Sequence, residues 1–284
     1  MSSAAPVDWP NAVALVTGAS SGIGYETALA FAQRGARVVG VARREERLRA
    51  LVAACNRTNS RASFLAGDLG ERRFAEHIVE ETLARHGRID VLVNNAAMPK
   101  HKQIYDLAPD EAETVMRVNF LSAVWTTLAA IPPMLAQRGG VIVNVSSFAA
   151  LVAPPRETIY AASKAALSAW SAGLWNDLHG SGVHVAIVFP GAIETEIWGK
   201  LDQPPAYRGR KHPPQIVVDA ILECVEQRCY ERTVPRRSFS LFGARLLRTV
   251  APGLLRRGMA AFDPVPADVL AQARARAGGG KREG

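Results

Sequence analysis

One run of residues in this chain has the composition and spacing of a phosphate-binding turn. It reads Thr17-Gly18-Ala19-Ser20-Ser21-Gly22-Ile23-Gly24 and lies between a short apolar segment and a helix-like one. Spaced glycines between a strand and a helix allow a tight turn and a close approach of the backbone to a ligand. The N–H groups at the start of the helix then attract phosphate. The run therefore predicts a pyrophosphate site for a dinucleotide, and a glycine turn without a ligand is the weaker alternative.

A second group has the types and spacing of an acid–base pair. Tyr160 and Lys164 lie four residues apart, on one face of a predicted helix, and Ser147 precedes the tyrosine by thirteen residues. A free tyrosine has a pKa of about 10, and a cationic lysine one turn away favours the phenolate and lowers that pKa. We expect a proton-transferring tyrosine, with a serine hydroxyl to hold negative charge on a substrate oxygen. Because the tyrosine–lysine spacing is common, a helix surface pair is the alternative.

The elements that must position these residues alternate regularly along the chain. Short apolar runs predict strands at Ala12–Val16, Arg37–Ala42, Ala62–Ala66, Ile89–Val93, Val141–Val145, Val183–Phe189 and Arg232–Val234. Helices are predicted at Tyr25–Arg34, Glu45–Cys55, Phe74–Arg85, Glu111–Met134, Tyr160–Leu178 and Ile216–Glu226. This alternation is typical of βαβ units, and predicts a three-layer αβα fold with a doubly wound parallel sheet.

Further motifs occur after successive strands. Asn94-Asn95-Ala96-Ala97 follows the fourth strand, Asn119 lies in the next helix, Ser146-Ser147 ends the fifth strand and Pro190-Gly191 ends the sixth. With T-G-x-x-x-G-x-G and Y-x-x-x-K, this order resembles the classical short-chain dehydrogenase/reductase family over about residues 10–235. One departure is Ala97, where the family usually has glycine. The resemblance implies a single Rossmann-type NAD(P)-binding domain, residues 1–235, that interconverts a carbonyl and a secondary alcohol.

The resemblance also implies residue roles. Tyr160 is the general acid/base, Lys164 also bonds the nicotinamide ribose, Ser147 rather than Ser146 holds the substrate oxygen, and Asn119 binds a relay water. The implied cofactor-binding residues, besides Tyr160 and Lys164, are Gly18, Ser20, Ser21, Gly22, Ile23, Gly24, Arg43, Arg44, Asp68, Leu69, Asn95, Ala96, Pro190, Gly191, Ile193 and Thr195. Two other functions stay open. One is a sugar-nucleotide epimerase or dehydratase, although this chain lacks the glycine spacing usual in those enzymes. The other is a non-catalytic NADP(H)-binding redox sensor.

The end of the second strand indicates which nicotinamide cofactor is used. An acid there bonds the ribose 2′-hydroxyl, whereas an arginine accepts a 2′-phosphate. This chain has Ala42-Arg43-Arg44, so NADP(H) is favoured over NAD(H). The lack of a basic residue at Ser21 counts against that preference, and the two arginines could instead begin a solvated helix. Asp68 is similar to the family's adenine contact, with a plain turn residue as the alternative.

Other segments indicate the substrate class and the assembly. The loop Phe148–Ile159 contains two prolines and apolar residues. The lid segment, residues 194–210, carries Trp198, Leu201 and Tyr207. Both favour a lipophilic substrate, although the lid aromatics could merely pack within the lid. Small residues on Glu111–Met134 and Tyr160–Leu178 match the helices that pair across a two-fold axis in the family, which implies a homodimer or homotetramer.

The charge of the chain is concentrated at its end. The net charge is +8, and residues 231–284 hold eleven basic and four acidic residues, which leaves +1 for residues 1–230. A nearly neutral body argues against a nucleic-acid surface. The C-terminal tail, residues 236–284, predicts a basic amphipathic helix that could contact a membrane, cover the substrate site, or dock on its own or a partner subunit, which is the favoured alternative. The glycine run 278–280 and the last residues are expected to be disordered.

Several classes are disfavoured. Three cysteines without a C-x-x-C pair predict neither a disulfide framework nor a metal site. The first eleven residues do not resemble a signal peptide. Val118–Gln137 is uncharged and long enough to span a bilayer, but its prolines and polar residues favour a buried helix. We therefore expect a cytoplasmic protein, membrane-associated only if the C-terminal tail makes that contact.

Overall fold

The strands and helices follow one another as the apolar runs predict. The computed structural model describes residues 7–58, 60–203 and 209–272. The strands are β1 Val13–Thr17, β2 Arg37–Ala42, β3 Ala62–Ala66, β4 Val91–Asn94, β5 Gly140–Val145, β6 Val183–Pro190 and β7 Glu231–Val234. The α-helices are α1 Gly22–Gln33, α2 Glu45–Asn56, α3 Arg72–His86, α4 Pro109–Met116, α5 Ser122–Ala136, α6 Ala149–Val152, α7 Thr158–Asp177, α8 Gln215–Glu226, α9 Phe239–Val250 and α10 Pro252–Phe262.

The strands form a single parallel sheet. Among the described residues it has seven strands in the order β3-β2-β1-β4-β5-β6-β7. The order reverses between β1 and β4, and in such sheets the crevice at the reversal is where a ligand binds. Tyr207 and the glycine run 278–280 lie outside the described residues, so the predictions made for them stay predictions.

Helices cover both faces of this sheet. On one face α1, α2 and α8 pack against β1 and its neighbours, through residues such as Phe31, Leu48 and Ile221. On the other face α3, α5 and α7 bury Ile78 and Met134 among others. Strands buried on both sides read as continuous apolar runs, and all the residues of β1 and β5 are buried. The predicted three-layer, doubly wound Rossmann-type fold is confirmed.

The structure corrects one predicted helix and extends two others. The helix predicted at Glu111–Met134 is divided by a π-helical turn, Arg117–Leu121, which contains Asn119. The first helix begins inside the glycine run at Gly22, three residues before its predicted start. In the C-terminal tail, Pro252 does not end the helical structure. It opens α10 instead, because a proline lacks only an N–H that the first turn of a helix leaves unpaired.

The long apolar stretch also has a place in the fold. By length and composition, residues 109–136 could cross a membrane. Here the stretch packs against α3, and the Oγ1 of its Thr126 donates to Asn94 Oδ1 at 2.8 Å. Asn94 Nδ2 donates in turn to Thr127 and to Asn144, within a buried polar network at the centre of the sheet. These contacts agree with the sequence interpretation of a buried helix.

Candidate active site

The predicted site residues meet at the carboxyl ends of the central strands. A cavity of about 510 Å³ opens there and runs along Ile23, Asn95, Ser147, Tyr160, Lys164 and the β6 end, Pro190–Ile193. Carboxyl ends of parallel strands all point to one edge of the sheet. Residues from distant parts of the chain therefore converge on one crevice.

The phosphate-binding turn has a backbone that requires glycine at two of its positions. Gly18 has φ +68°, and a Cβ there would lie 2.8 Å from Asn95 Nδ2. A Cβ on Gly24 would lie 2.5 Å from the same atom. Ser21 is the N-cap of α1, yet its side chain does not cap the helix. The N–H groups of the first turn are thus left for an anion, and the turn fits a pyrophosphate.

Thr17, which the sequence analysis did not single out as a functional residue by itself, holds the turn to β4. Its Oγ1 donates to the Val93 carbonyl at 3.1 Å and accepts from the N–H groups of Asn95 and Ala96 at 2.9 and 3.1 Å. Asn95 Nδ2 donates back to the Thr17 carbonyl at 3.0 Å. The two loops that flank the reversal of strand order are therefore joined by one hydroxyl and one amide.

Arg44 lies against the turn, whereas Arg43 is exposed beside it. Arg44 Nη2 donates to the hydroxyls of Ser21 and Ser20 at 2.8 and 3.1 Å, and its Nη1 donates to Glu196 at 2.8 Å. A guanidinium from the N-cap of α2 thus occupies the space beside Ser21, where the sequence lacks a basic residue. Arg44 is therefore more than the first residue of a solvated helix.

Tyr160, Ser147 and Lys164 come together at the inner part of the cavity. The Tyr160 hydroxyl is hydrogen-bonded to Ser147, and burial raises the pKa of Tyr160 to about 12, against the smaller opposing effect of that hydrogen bond. Lys164 is 2% exposed, and its Nζ donates to the Val145 carbonyl at 2.9 Å. Burial lowers the pKa of Lys164 to about 8.

These pKa directions differ from the sequence expectation of a lowered pKa for Tyr160. The expectation considered only the attraction between a phenolate and a lysine one turn away. In the folded chain both groups lose water, and desolvation disfavours the charged form of each. The phenol therefore keeps its proton at neutral pH, which is the form that donates a proton to a carbonyl oxygen during reduction.

The two neighbouring serines have different surroundings. Ser146 is buried, and its Oγ donates to the Lys164 carbonyl at 3.0 Å and contacts Ser168 Oγ at 3.0 Å. Ser147 is half-buried; its Oγ accepts from Ala149 N–H at 3.1 Å and reaches Tyr160. Ser147 is therefore placed to meet a substrate oxygen, whereas Ser146 holds α7 to the end of β5.

Asn119 joins the π-helical turn to the loop after β4. Its Oδ1 accepts from Met98 N–H at 2.7 Å, and its Nδ2 donates to the Met98 carbonyl and to Ser163 Oγ, both at 3.0 Å. Ser163 in turn donates to the Tyr160 carbonyl at 2.7 Å. The amide therefore positions α7, the helix that carries Tyr160, and its predicted role in binding a relay water stays a prediction.

The remaining predicted cofactor residues follow β3 and β6, and those after β6 line the cavity. Asp68 is exposed, and its Oδ1 accepts from Gly70 N–H at 2.8 Å in a local turn, beside the buried Leu69. Gly191 N–H donates to the Val234 carbonyl at 2.7 Å, which holds the loop after β6 against β7. The Ile193 carbonyl accepts from Trp198 Nε1 at 2.6 Å, and Thr195 caps the 3₁₀ turn Glu196–Lys200.

The C-terminal tail forms a wall of the same cavity. Lining side chains come from α9 (Leu241 and Ala244) and from α10 (Met259 and Phe262). The tail is held by Asp263, which accepts from Arg156 Nε and Nη2 at 2.5 and 2.9 Å and from Gln103 at 3.0 Å. The amphipathic pattern of the tail predicted a helix, but it did not show which surface the helix covers. Here the described part of the tail, residues 236–272, docks on its own subunit, and α9 and α10 lie over the cavity.

Comparison with known proteins agrees with this site. The family model described as short chain dehydrogenase matches residues 12–206. The 3-oxoacyl-(acyl-carrier-protein) reductase FabG of Thermotoga maritima is 36% identical over 191 residues, which cover 67% of this chain and 78% of that protein. This chain belongs to the short-chain dehydrogenase/reductase family. The predicted family is thus confirmed, and the protein is an NAD(P)-dependent oxidoreductase.

Solved structures of other short-chain dehydrogenases/reductases share the fold. A metagenomic short-chain oxidoreductase in complex with NADP is similar with a TM-score of 0.69 and 30% identity, over 79% of this chain and 95% of that one. A family member from Burkholderia phymatum in complex with NAD has a TM-score of 0.78 at 22% identity, over 86% and 94% of the two chains.

Proposed function

We propose that the protein transfers hydride between NADP(H) and a lipophilic carbonyl/secondary alcohol pair. The observation that carries this proposal is the hydrogen-bonded pair of Tyr160 and Ser147 hydroxyls in a cavity whose other walls are mostly apolar. A carbonyl oxygen can accept hydrogen bonds from both of these hydroxyls. When bound, the nicotinamide ring donates or accepts the hydride.

The side chains then have separate tasks. Ser147 donates a hydrogen bond to the substrate oxygen and stabilises the negative charge that develops on it. Tyr160 donates its proton to that oxygen in reduction and accepts it in oxidation. Lys164 supplies a nearby cation, and its lowered pKa allows it to exchange protons near neutral pH. Asn119 holds the loop after β4 and the helix that carries Tyr160.

The preference for NADP(H) rests on the end of β2. Ala42 there offers no carboxylate for a ribose 2′-hydroxyl, and Arg43 and Arg44 offer guanidinium groups to a 2′-phosphate. Guanidinium groups bind phosphate in a planar, paired geometry, so two of them beside the turn favour the phosphorylated cofactor.

The substrate class rests on the composition of the cavity. Its distal walls include Val152, Pro154, Pro155, Trp198, Leu201, Leu241, Met259 and Phe262. His101 and Glu157 add polar groups, with His101 Nδ1 lying 3.6 Å from Glu157 Oε1. Apolar walls with few polar groups favour a bulky lipophilic substrate. The similar protein from Thermotoga maritima is named as a 3-oxoacyl-(acyl-carrier-protein) reductase.

Activity measurements with paired tyrosine variants test the proposal. Lipophilic ketones, aldehydes and alcohols are assayed with NADPH or NADP, in wild type, Tyr160→Phe and the control Tyr230→Phe. We expect Tyr160→Phe to keep NADPH affinity and lose at least about 10³-fold in kcat, because Tyr160 is the one tyrosine among the described residues that line the cavity. Full activity of Tyr160→Phe would refute the mechanism. Tight NADPH binding without turnover of any compound would support a non-catalytic sensor.

We also propose that the protein is a homodimer or homotetramer that pairs through α5 and α7. An apolar groove lies between these helices, lined by Leu128, Ile131, Trp170, Gly173 and Leu174 among others, and Leu128 is 53% exposed. Light scattering of Leu128→Glu tests this. We expect a smaller particle than wild type, whereas Ile104→Glu, an equally exposed apolar position elsewhere, should leave the mass unchanged.

A cytoplasmic protein with a peripheral membrane contact is the proposed location. The outer face of the C-terminal tail exposes Phe239 by 95%, Phe242 by 68% and Val250 by 66%, and arginines flank these residues. Basic amphipathic surfaces of this kind bind anionic bilayers. Co-sedimentation with vesicles of phosphatidylcholine, with or without phosphatidylserine, tests it. We expect the protein to bind anionic vesicles, and the double substitution Phe239→Ser and Phe242→Ser to abolish this binding. If equal amounts of protein sediment with and without vesicles, the proposed membrane contact is wrong.

A further inference from the structure

A carboxylate from the lid segment lies within the basic cluster beside the phosphate turn. Glu196 Oε2 accepts from Arg44 Nη1 at 2.8 Å and lies 3.9 Å from Lys200 Nζ, and Glu196 Oε1 lies 3.8 Å from Arg47 Nη2. The hydrogen bond from Arg44 is the main reason that the pKa of Glu196 is lowered. Three cations thus surround one carboxylate: Arg44 and Arg47 come from the start of α2, and Lys200 comes from the same lid segment as Glu196.

The cluster is more basic than one carboxylate balances. Burial lowers the pKa of Lys200, and the charges of Arg44 and Arg43 lower it further. Arg43, exposed at the end of β2, adds a further positive charge beside this cluster. Three positive charges around one carboxylate, next to the hydroxyls of Ser20 and Ser21, form a site for an anion of higher charge.

We propose that Glu196 occupies, in the ligand-free protein, the place that the cofactor 2′-phosphate takes when it binds. Arg47 and Lys200 are then part of the 2′-phosphate site, together with Arg43 and Arg44. The phosphate and the lid carboxylate compete for the same cations. This inference rests on the NADP(H) preference proposed above.

The competition couples the two ends of the active site. Glu196 begins the 3₁₀ turn Glu196–Lys200, and Trp198 within that turn lines the substrate cavity and donates to the Ile193 carbonyl. A phosphate carries more charge and one more acceptor oxygen than a carboxylate, so it displaces Glu196 from Arg44. Release of Glu196 removes the contact that holds the lid segment to α2, and the lid becomes free to adjust around a substrate.

Ligand fragments separate this effect from turnover. Adenosine 2′,5′-bisphosphate and 5′-AMP are titrated calorimetrically into the full chain, as wild type, Glu196→Gln and Glu194→Gln. Glu194 is an exposed carboxylate two residues away in the same segment, so its substitution is a matched control. Because exposed ion pairs are individually weak, we expect Glu196→Gln to bind the bisphosphate about three- to tenfold more tightly. Its affinity for 5′-AMP should stay within about twofold, and Glu194→Gln should behave as wild type.

Two further measurements report on the lid and on the added cations. Amide hydrogen exchange of residues 194–203 should accelerate in wild type when the bisphosphate is added, but not with 5′-AMP. In Glu196→Gln the exchange should be fast from the start. Lys200→Met should lower the affinity for the bisphosphate about three- to tenfold and leave the affinity for 5′-AMP unchanged.

The outcomes distinguish this inference from the function it rests on. If wild type binds the bisphosphate no better than 5′-AMP, the NADP(H) preference and the competition are both wrong. If wild type prefers the bisphosphate but Glu196→Gln leaves that affinity unchanged or weakens it, the competition alone is wrong. Slower exchange of the lid with the bisphosphate would also overturn the competition.

Discussion

Removal of one carboxylate should detach the C-terminal tail from the substrate cavity. Asp263 follows α10 directly and accepts two hydrogen bonds from Arg156 and one from Gln103. The inner face of α10 buries little else, since only Ala251, Leu255 and Met259 are half-buried along it. The Asp263 contact is therefore the main tie between α10 and the body, and Asp263→Ala is the change that tests it.

The magnitude follows from the geometry of this contact. The side chains of Arg156 and Asp263 are 24% and 15% exposed, so the pair is mostly buried. Hydrogen bonds to charged groups contribute about 1.5–3 kcal/mol each when buried, and partial access of water reduces that; we take about 2 kcal/mol for the whole contact. Since about 1.4 kcal/mol is a factor of ten, the detached state of α10 should become roughly 30-fold more populated.

Hydrogen exchange measures that population directly. In Asp263→Ala the amides of residues 252–262 should exchange roughly 30-fold faster, while amides of β1 and β5 keep their protection. Asp268→Ala is the control, because it removes the same charge from an exposed site in the same tail. Since Met259 and Phe262 leave the cavity wall, KM for long apolar substrates should rise, and KM for short ones should stay unchanged.

A different result would refute the reasoning. If the amides of residues 252–262 exchanged at rates within about threefold of each other in Asp263→Ala and Asp268→Ala, the tail would be held by its apolar contacts and not by the carboxylate. If KM rose equally for short and long substrates, the change would have disturbed the catalytic residues and not the wall.

Three further predictions concern single side chains. Lys164→Met should lose activity but raise the free energy of unfolding at pH 7 by roughly 2–3 kcal/mol, because burial lowers the pKa of the lysine to about 8. In denaturant titrations, the free energy of unfolding of the wild type should rise between about pH 8 and 10.5. The variant should lack that rise. Ser147→Ala should lower kcat by about 10²–10³-fold in steady-state assays, whereas Ser146→Ala should mainly lower unfolding free energy by about 1–2 kcal/mol. Hydrogen bonds from two lysines and a backbone N–H hold the pKa of Glu111 at about 2. The contribution of Glu111 to stability should therefore be complete above about pH 4.5 and be lost as the pH falls towards 2. Thermal melts of Glu111→Gln should lack this acid-dependent loss.

The sheet and the glycine turn could be predicted because their signals are local. Strands buried on both faces require continuous apolar runs, and a turn with a left-handed backbone at Gly18 requires glycine in the sequence. The π-helical turn around Asn119 has no such signal. It arises where the asparagine side chain bonds Met98 and Ser163, 21 and 44 residues away, so a regular helix is the expectation from sequence.

The pKa of Tyr160 shows the same limit within the site. The spacing from Lys164 predicts one interaction correctly in kind, but the magnitude of desolvation depends on every element that packs around the phenol. The sequence does not show which residues pack around the phenol. Their burial of Tyr160 raises its pKa, whereas the spacing from Lys164 predicts a lowered pKa.

By itself, the sequence determined the order of strands and helices and the family, because apolar runs, the glycine spacing and the order of short motifs are visible without the fold. Tertiary structure alone decided which distant groups meet: Glu196 with Arg44, 152 residues apart, and Asp263 with Arg156, 107 residues apart. The reason is physical. Any carboxylate in the sequence could pair with any arginine, so the sequence does not show which ones meet. The partner depends on where the folded chain places the lid segment and the C-terminal tail against the rest of the protein.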